Sequence, residues 1–112
     1  MENKKLPEGI TQEMINEAKE KYGPKNVKLA QVQCNEEGTE FKDILIRRPD
    51  LSVTNQVKKF IDNNPGKAEE IALNHCLLSH KDEVKSNEWM RGGAVDGIFQ
   101  LLPVTKAIIK NL

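Results

Sequence analysis

The chain has 112 residues, of which 38% are hydrophobic and 30% are charged, and this mixture is typical of one globular domain. Seventeen basic residues balance seventeen acidic ones and the two signs are interleaved, so no basic stripe for nucleic acid or a membrane surface is present. No apolar run reaches about 18 residues, the length that would span a bilayer. The charged start MENKKLPEG lacks the apolar core of a secretory signal. We therefore expect a cytoplasmic protein that contacts no membrane.

The first predicted element is a helix over residues 11–22. Residues 1–9 should form a flexible terminus of a single domain that spans 1–112. Thr11 is a typical N-cap, and apolar residues follow it at helical spacing. Gly23 and Pro24 should end the helix, because a glycine just past the last turn followed by proline is a common stop.

Two strands are predicted next, over residues 27–34 and 40–47, with a turn centred on Gly38. Their short connection predicts an antiparallel hairpin. The apolar alternation shifts by one residue at Ala30, which suggests a β-bulge. A two-stranded ribbon is only marginally stable alone, so we expect it to pack on helices or to be extended by another chain.

Two helices should follow the hairpin. Pro49 ends the second strand, and either Asp50 or Ser52 can cap the next helix. Asn64 and Pro65 are typical of the N-cap and the first residue of a third helix. The stretch SHKDEVKSN then reads as a polar connection without a helical period.

The last apolar block, from residue 88 to 112, predicts a final helix that Pro103 should kink or divide. Its apolar stripe continues through Val104, Ala107, Ile108 and Leu112. The glycines at 92, 93 and 97 favour a loop or a closely packed helix start over a phosphate-binding loop, because no strand and no G-K-[ST] precede that helix. The overall expectation is an α+β domain, an antiparallel β-hairpin packed against about four helices.

No catalytic, cofactor or metal site is predicted. The candidate soft ligands are Cys34, His75, Cys76 and His80. His75 and Cys76 are adjacent on a predicted helix, so their side chains diverge by about 100°. Cys76 lies on the apolar face of that helix, where burial would make its thiol unreactive. A small enzyme or metal-binding protein built on these residues remains an alternative.

Three residues are candidates for contact with a partner protein: Arg47, Arg48 and Trp89. Adjacent residues on a strand point to opposite faces, so one arginine should cover the helices while the other is free for a carboxylate-bearing partner. The competing interpretation is that this stretch is only a strand-to-helix junction. Trp89 is either a lid over the edge of the core or an anchor in an interface.

The order of helix, hairpin, R-R-P and helix, followed by P-x-x-A-x-x-I and C-L-L, resembles small proteins of tailed-phage and prophage gene clusters, the tail assembly chaperone-like group. The resemblance covers roughly residues 10–112, with Asp82 and Glu83 in the position of a charged loop before the last helix. Gly92, Gly93 and the segment LLPVTK depart from the pattern. The matching residues are Arg47, Arg48, Pro49, Asp50, Phe60, Pro65, Ala68, Ile71, Asn74, Cys76 and Leu77.

This resemblance implies a non-enzymatic protein of the bacterial host cytoplasm. It would bind other phage or prophage polypeptides, for example the tape-measure protein. A small bacterial adaptor without a phage link is the alternative. An open edge of the hairpin could serve either a homo-oligomer or a partner chain, because an unpaired strand edge is a template for another strand.

Overall fold

The computed structural model describes residues 5–103 and 107–112. Within them the chain forms an antiparallel hairpin and five α-helices, the α+β fold that the sequence predicts. A single 3-10 turn, Pro24–Asn26, joins the first helix to the first strand. The elements are α1 (Gln12–Tyr22), β1 (Val27–Gln33), β2 (Phe41–Arg47), α2 (Leu51–Ile61), α3 (Pro65–Cys76), α4 (Lys81–Ser86) and α5 (Glu88–Gln100).

The helix starts follow from side-chain caps. Thr11, Asp50 and Asn64 each accept a hydrogen bond from the backbone N–H three residues later. Such a bond satisfies one of the backbone donors that a first helical turn leaves unpaired. Of the two predicted caps for α2, Asp50 is the one that is used.

The hairpin has a regular register from Val27 opposite Arg47 to Gln33 opposite Phe41, so the predicted bulge at Ala30 is wrong. The shift in apolar pattern has another cause, which is that β1 changes the face it buries. Val27 packs toward α1, whereas Ala30 and Val32 pack toward the other helices.

The hairpin lies between two groups of helices. One face packs on α1 through a small apolar cluster, and the other packs on the remaining helices through the main core. Every residue of β2 from 44 to 47 is buried, which places this strand at the centre of the molecule. The small cluster contains Ile10, Ala18, Val27 and Leu45, and the main core includes Val32, Ile44, Ile46, Val57, Ala72, Cys76, Val84 and Ile98.

The predicted polar connection at 79–87 contains a helix, α4, so that prediction was wrong. Val84 is its one buried side chain, fully enclosed by the main core. A helix of six residues with one apolar anchor has no period to detect. Its exposed side carries Glu83, which pairs with Lys42 of β2 at 2.6 Å.

The final helix is shorter than predicted. It ends at Gln100, before Pro103, because proline disfavours helical backbone in the residue that precedes it. Val104 lies outside the described residues. Residues 107–112 are neither helix nor strand and are exposed, so the apolar stripe does not continue as a helix there. Across 5–103 and 107–112, no helix has both the length and the apolar character needed to cross a membrane.

Candidate functional site

The hydrogen bonds of the hairpin determine which backbone groups face outward. The N–H of Cys34 donates to the carbonyl of Glu40 at 2.8 Å, and the N–H of Arg48 donates to the carbonyl of Asn26 at 2.7 Å. Because hydrogen-bonded pairs alternate along an antiparallel ladder, the even-numbered residues of β1 face β2. The odd-numbered residues turn their N–H and C=O groups to the outer edge. These are Val27, Leu29, Gln31 and Gln33.

The outer edge of β2 is closed at Leu45 by the segment that follows α3. The N–H of Leu45 donates to Ser79 Oγ at 2.8 Å, and the carbonyl of Leu45 accepts from the N–H of Leu78 at 2.9 Å. Ile46 also forms an isolated bridge with Leu77. These contacts leave no room for an added strand at Leu45, in the second half of β2.

Two hydrogen bonds of His80 hold the segment after α3 in place. The Nε2 of His80 lies 2.9 Å from the carbonyl oxygen of Glu8, which can only accept, so Nε2 carries the proton. Nδ1 then accepts from Ser79 Oγ at 2.7 Å. Ser79 is only 4% exposed, so its hydroxyl is not accessible to a substrate, and the serine–histidine pair serves to hold the segment against β2.

The outer edge of β1 is open by contrast. Among the residues that the structure describes, none forms a backbone hydrogen bond with the outward groups of this strand. A groove of about 510 Å³ runs beside the edge, between residues 28–33 of β1 and one side of α5. The helical side of the groove consists of Gly93, Asp96, Gly97 and Gln100.

Two of these glycines explain how α5 reaches β1 so closely. A Cβ on Gly97 would lie 3.4 Å from Ala30 Cβ and 3.5 Å from Ile46 Cδ1, and Gly93 is packed more tightly still. Gly93 and Gly97 are therefore closely packed, but they lie within α5 and not at its start, so the predicted loop or helix start at the glycines is wrong; Asn87 caps the helix. The Oδ1 of Asn87 accepts from the N–H groups of Trp89 and Met90.

Two hydrogen bonds align α5 antiparallel to β1. Asn87 Nδ2 donates to the carbonyl of Cys34 at 2.9 Å, and Arg48 Nε donates to the carbonyl of Leu101 at 3.1 Å. The predicted contact residues Arg48 and Trp89 therefore lie near opposite ends of α5, and neither of them lines the groove. Both are exposed, Trp89 to 41%. Trp89 precedes Gly93 by four residues, so the helical period places it on the same side of α5.

One arginine is enclosed and the other is exposed, as predicted, and the enclosed one is Arg47, which at 6% exposure is not available to a partner. Its Nε donates to the carbonyl of His75 at 2.8 Å, and its guanidinium lies 4.3 Å from the centre of the Tyr22 ring. It also pairs with Asp50 at 3.4 Å. The expected partner contact is therefore restricted to Arg48 and Trp89, and Arg47 belongs to the junction.

The cysteines and histidines are not assembled into a site. Burial raises the pKa of the Cys76 thiol to about 11, and the side chain is fully enclosed. Both cysteines are free thiols. Over residues 5–103 and 107–112, no group of three His, Cys, Asp or Glu side chains is arranged to hold a metal ion.

Comparison of the chain with protein-family models, with curated proteins and with solved structures gave no match. The candidate site therefore rests on geometry. The sequence pointed to an open hairpin edge but not to its strand, nor to Leu29, Gln31 and Asp96 beside it. Leu29 was the residue that could have indicated which strand has the open edge. It is an apolar residue of β1 that is 50% exposed, on a face that the helices leave partly uncovered.

Proposed function

We propose that this chain is a non-enzymatic protein that works by protein–protein contact, binding an extended segment of another polypeptide along the open edge of β1. The observation that supports this proposal is the set of outward backbone groups at 27, 29, 31 and 33, which have no backbone partner in the described chain. Strand addition to such an edge is a recurring mode of peptide recognition.

The groove supplies both affinity and specificity for such a segment. Each backbone hydrogen bond to the edge would contribute about 0.5–1.5 kcal/mol net. Leu29 and Phe41, both at least half exposed, offer apolar contacts near the edge. Arg48 and Trp89, near opposite ends of α5, are of types enriched at interface centres, and they would select the sequence and direction of a partner that extends beyond the groove.

The class of partner follows from the resemblance carried by Arg47, Arg48, Pro49 and Asp50 and by the motifs of α3. We propose a tail assembly chaperone-like role in a phage or prophage system, in the cytoplasm of the bacterial host. The partner would be another phage polypeptide such as the tape-measure protein. A segment of a growing tail protein that is not yet packed exposes strand-forming backbone, which is the chemistry that an open edge accepts.

A bacterial adaptor without a phage link would use the same edge, and the identity of the neighbouring genes separates it from the phage proposal. A Cys/His metal protein is less well supported, because Cys76 is enclosed and its thiol pKa is high. Stoichiometric zinc that survives purification and is lost in Cys76→Ala would favour the metal protein instead.

The test of the binding proposal uses one matched pair of variants at Gln31. Gln31→Pro removes an outward N–H, which an edge strand tolerates, and Gln31→Ala keeps that N–H. Calorimetric titration with each neighbouring gene product should show binding to wild type and Gln31→Ala and a loss of at least about tenfold in affinity for Gln31→Pro. Circular dichroism confirms that each variant is folded. The proposal fails if no neighbouring product binds, or if Gln31→Pro binds as well as Gln31→Ala.

A further inference from the structure

The segment 107–112, AIIKNL, is an apolar stretch that nothing in the described chain covers. Ile108, Ile109 and Leu112 are exposed to 86%, 90% and 127% of their reference areas. Three large apolar side chains so close together in sequence are unusual on a surface without an interaction role. Isoleucine also favours the extended backbone of a strand.

We infer that the segment 107–112 of one copy adds as a strand to the open edge of β1 in a second copy. The inference rests on the proposed role of that edge as a strand acceptor, and it names an occupant. At about 3.3 Å per residue, an extended stretch of residues 107–112 is long enough to pair with the outward groups at 29, 31 and 33 of β1. In the described chain, the edge of β1 has no strand partner and the apolar side chains of the segment have no covering surface.

The occupant must come from a second copy because the segment does not contact the edge of its own chain. Ile109 at 90% exposure touches too little protein to lie in a groove. Exchange between two copies would bury the segment of each copy on the other and would close the dimer with two identical interfaces. The formal net charge of zero offers no overall repulsion between copies.

The side chains of the segment also suit the groove. Alternation places Ile108, Lys110 and Leu112 on one side of an added strand and Ile109 on the other. With the first set toward α5, Lys110 would be on the side that carries the exposed carboxylate of Asp96. Ile109 then lies on the side of Leu29, where it covers exposed apolar surface.

This arrangement would also regulate the proposed binding activity. The exchanged segment and a partner strand would compete for the same outward groups of β1, so the dimer would be a protected form with its edge covered. A partner of higher affinity would displace the segment. Covering an exposed edge in this way prevents uncontrolled strand pairing.

The test separates the edge from the segment by two variants of the full chain. Gln31→Pro damages the edge and keeps the segment, whereas Ile109→Asp damages the segment and keeps the edge. Leu51→Asp, at an exposed leucine of α2, and Gln31→Ala are the matched controls. Sedimentation equilibrium over a concentration series should give twice the 12.7 kDa chain mass for wild type and both controls. The two damaged variants should each weaken dimerisation by at least about tenfold.

Mixing the two damaged variants is the decisive step, because one intact edge then meets one intact segment. A mixed complex that is stronger than either variant's self-association supports exchange. A monomeric wild type, a dimer that Ile109→Asp leaves unchanged, or no mixed complex would each overturn it. The proposed function is measured separately: Ile109→Asp, whose edge is free, should still bind the partner, and its failure to do so would count against the binding role.

Discussion

Gly93 of α5 lies so close to Val32 of β1 that a Cβ on the glycine would stand 3.0 Å from both Val32 Cβ and Val32 Cγ1. Val32 is buried and β-branched, so it cannot turn away from an added methyl group. Overpacking of a core contact costs about 1–3 kcal/mol. The position of α5, and with it the width of the groove, depends on this glycine.

The neighbouring glycine provides the control for this contact. A Cβ on Gly92 would meet nothing within 4 Å, so Gly92→Ala should stabilise the helix by about 0.5–1 kcal/mol. Gly93→Ala gains the same helix propensity but meets Val32, so it should be less stable than Gly92→Ala by at least about 1 kcal/mol. Urea unfolding of both variants measures the difference, and equal stabilities would show that α5 is not held by this approach.

Arg47 and Arg48 are adjacent in sequence but should respond differently to the same substitution. Arg47→Glu places a buried, unpaired carboxylate beside the largely exposed Asp50 and should cost at least about 2 kcal/mol of unfolding free energy. Arg48→Glu changes an exposed side chain and should shift stability by about 0.5 kcal/mol. Circular dichroism during urea unfolding distinguishes them. Similar small losses of unfolding free energy for both variants would mean that Arg47 does not stabilise the junction between β2 and α2.

The N-cap at Asp50 should make the stability of the protein depend on pH in the acidic range. The hydrogen bond from the N–H of Val53, aided by the charge of Arg47, lowers the pKa of Asp50 below its ordinary value of 3.8. A carboxyl group with a lowered folded pKa contributes stability above its unfolded pKa, and this contribution is lost as the pH falls through the folded pKa.

Asp50→Asn isolates this effect, because asparagine keeps a capping oxygen but does not titrate. The wild type should be the more stable of the two at neutral pH, and the difference should shrink as the pH is lowered below 3.8. Thermal unfolding at several pH values measures it. A difference that is the same at neutral and acidic pH would contradict the charged cap.

Cys76 should be unreactive in the native protein. Its side chain is fully buried, and that burial raises the thiol pKa to about 11, so almost no thiolate forms at neutral pH. In a Cys34→Ser background, a thiol reagent should label Cys76 only as fast as the core opens. The reverse variant, Cys76→Ser, leaves the half-buried Cys34, which should label faster. Rapid native labelling of Cys76 would show that the core around α3 is open.

Local signals in the sequence were enough for the main elements. Thr11 and Asn64 mark helix starts through hydrogen bonds to neighbours in sequence, and Pro65 does so through its fixed φ, so those boundaries were predictable. The helix α4 was not, because its single anchor, Val84, is buried by contacts from distant parts of the chain. The bulge predicted at Ala30 was wrong because contacts distant in sequence also decide which face β1 buries, and these contacts come from α1 and α5.

The candidate site was only partly predictable, because it too depends on contacts between residues distant in sequence. An open edge follows from a two-stranded hairpin, but which edge stays open depends on the segment after α3 that covers Leu45. The closure of that edge by Ser79 is a contact between residues 34 apart in sequence. Likewise, Arg47 and Arg48 look equivalent in sequence, and only the stacking of Arg47 on Tyr22 separates their roles.

The central claim is that the outer edge of β1 accepts a strand, and amide hydrogen exchange of that strand tests it most directly. In dilute monomer, the N–H groups of Lys28, Ala30 and Val32 should be protected by β2, whereas those of Leu29, Gln31 and Gln33 should exchange rapidly. In the complex with a partner or in the dimer, the second set should become protected as well. Rapid exchange of Leu29, Gln31 and Gln33 in a complex that is demonstrably formed would contradict the claim.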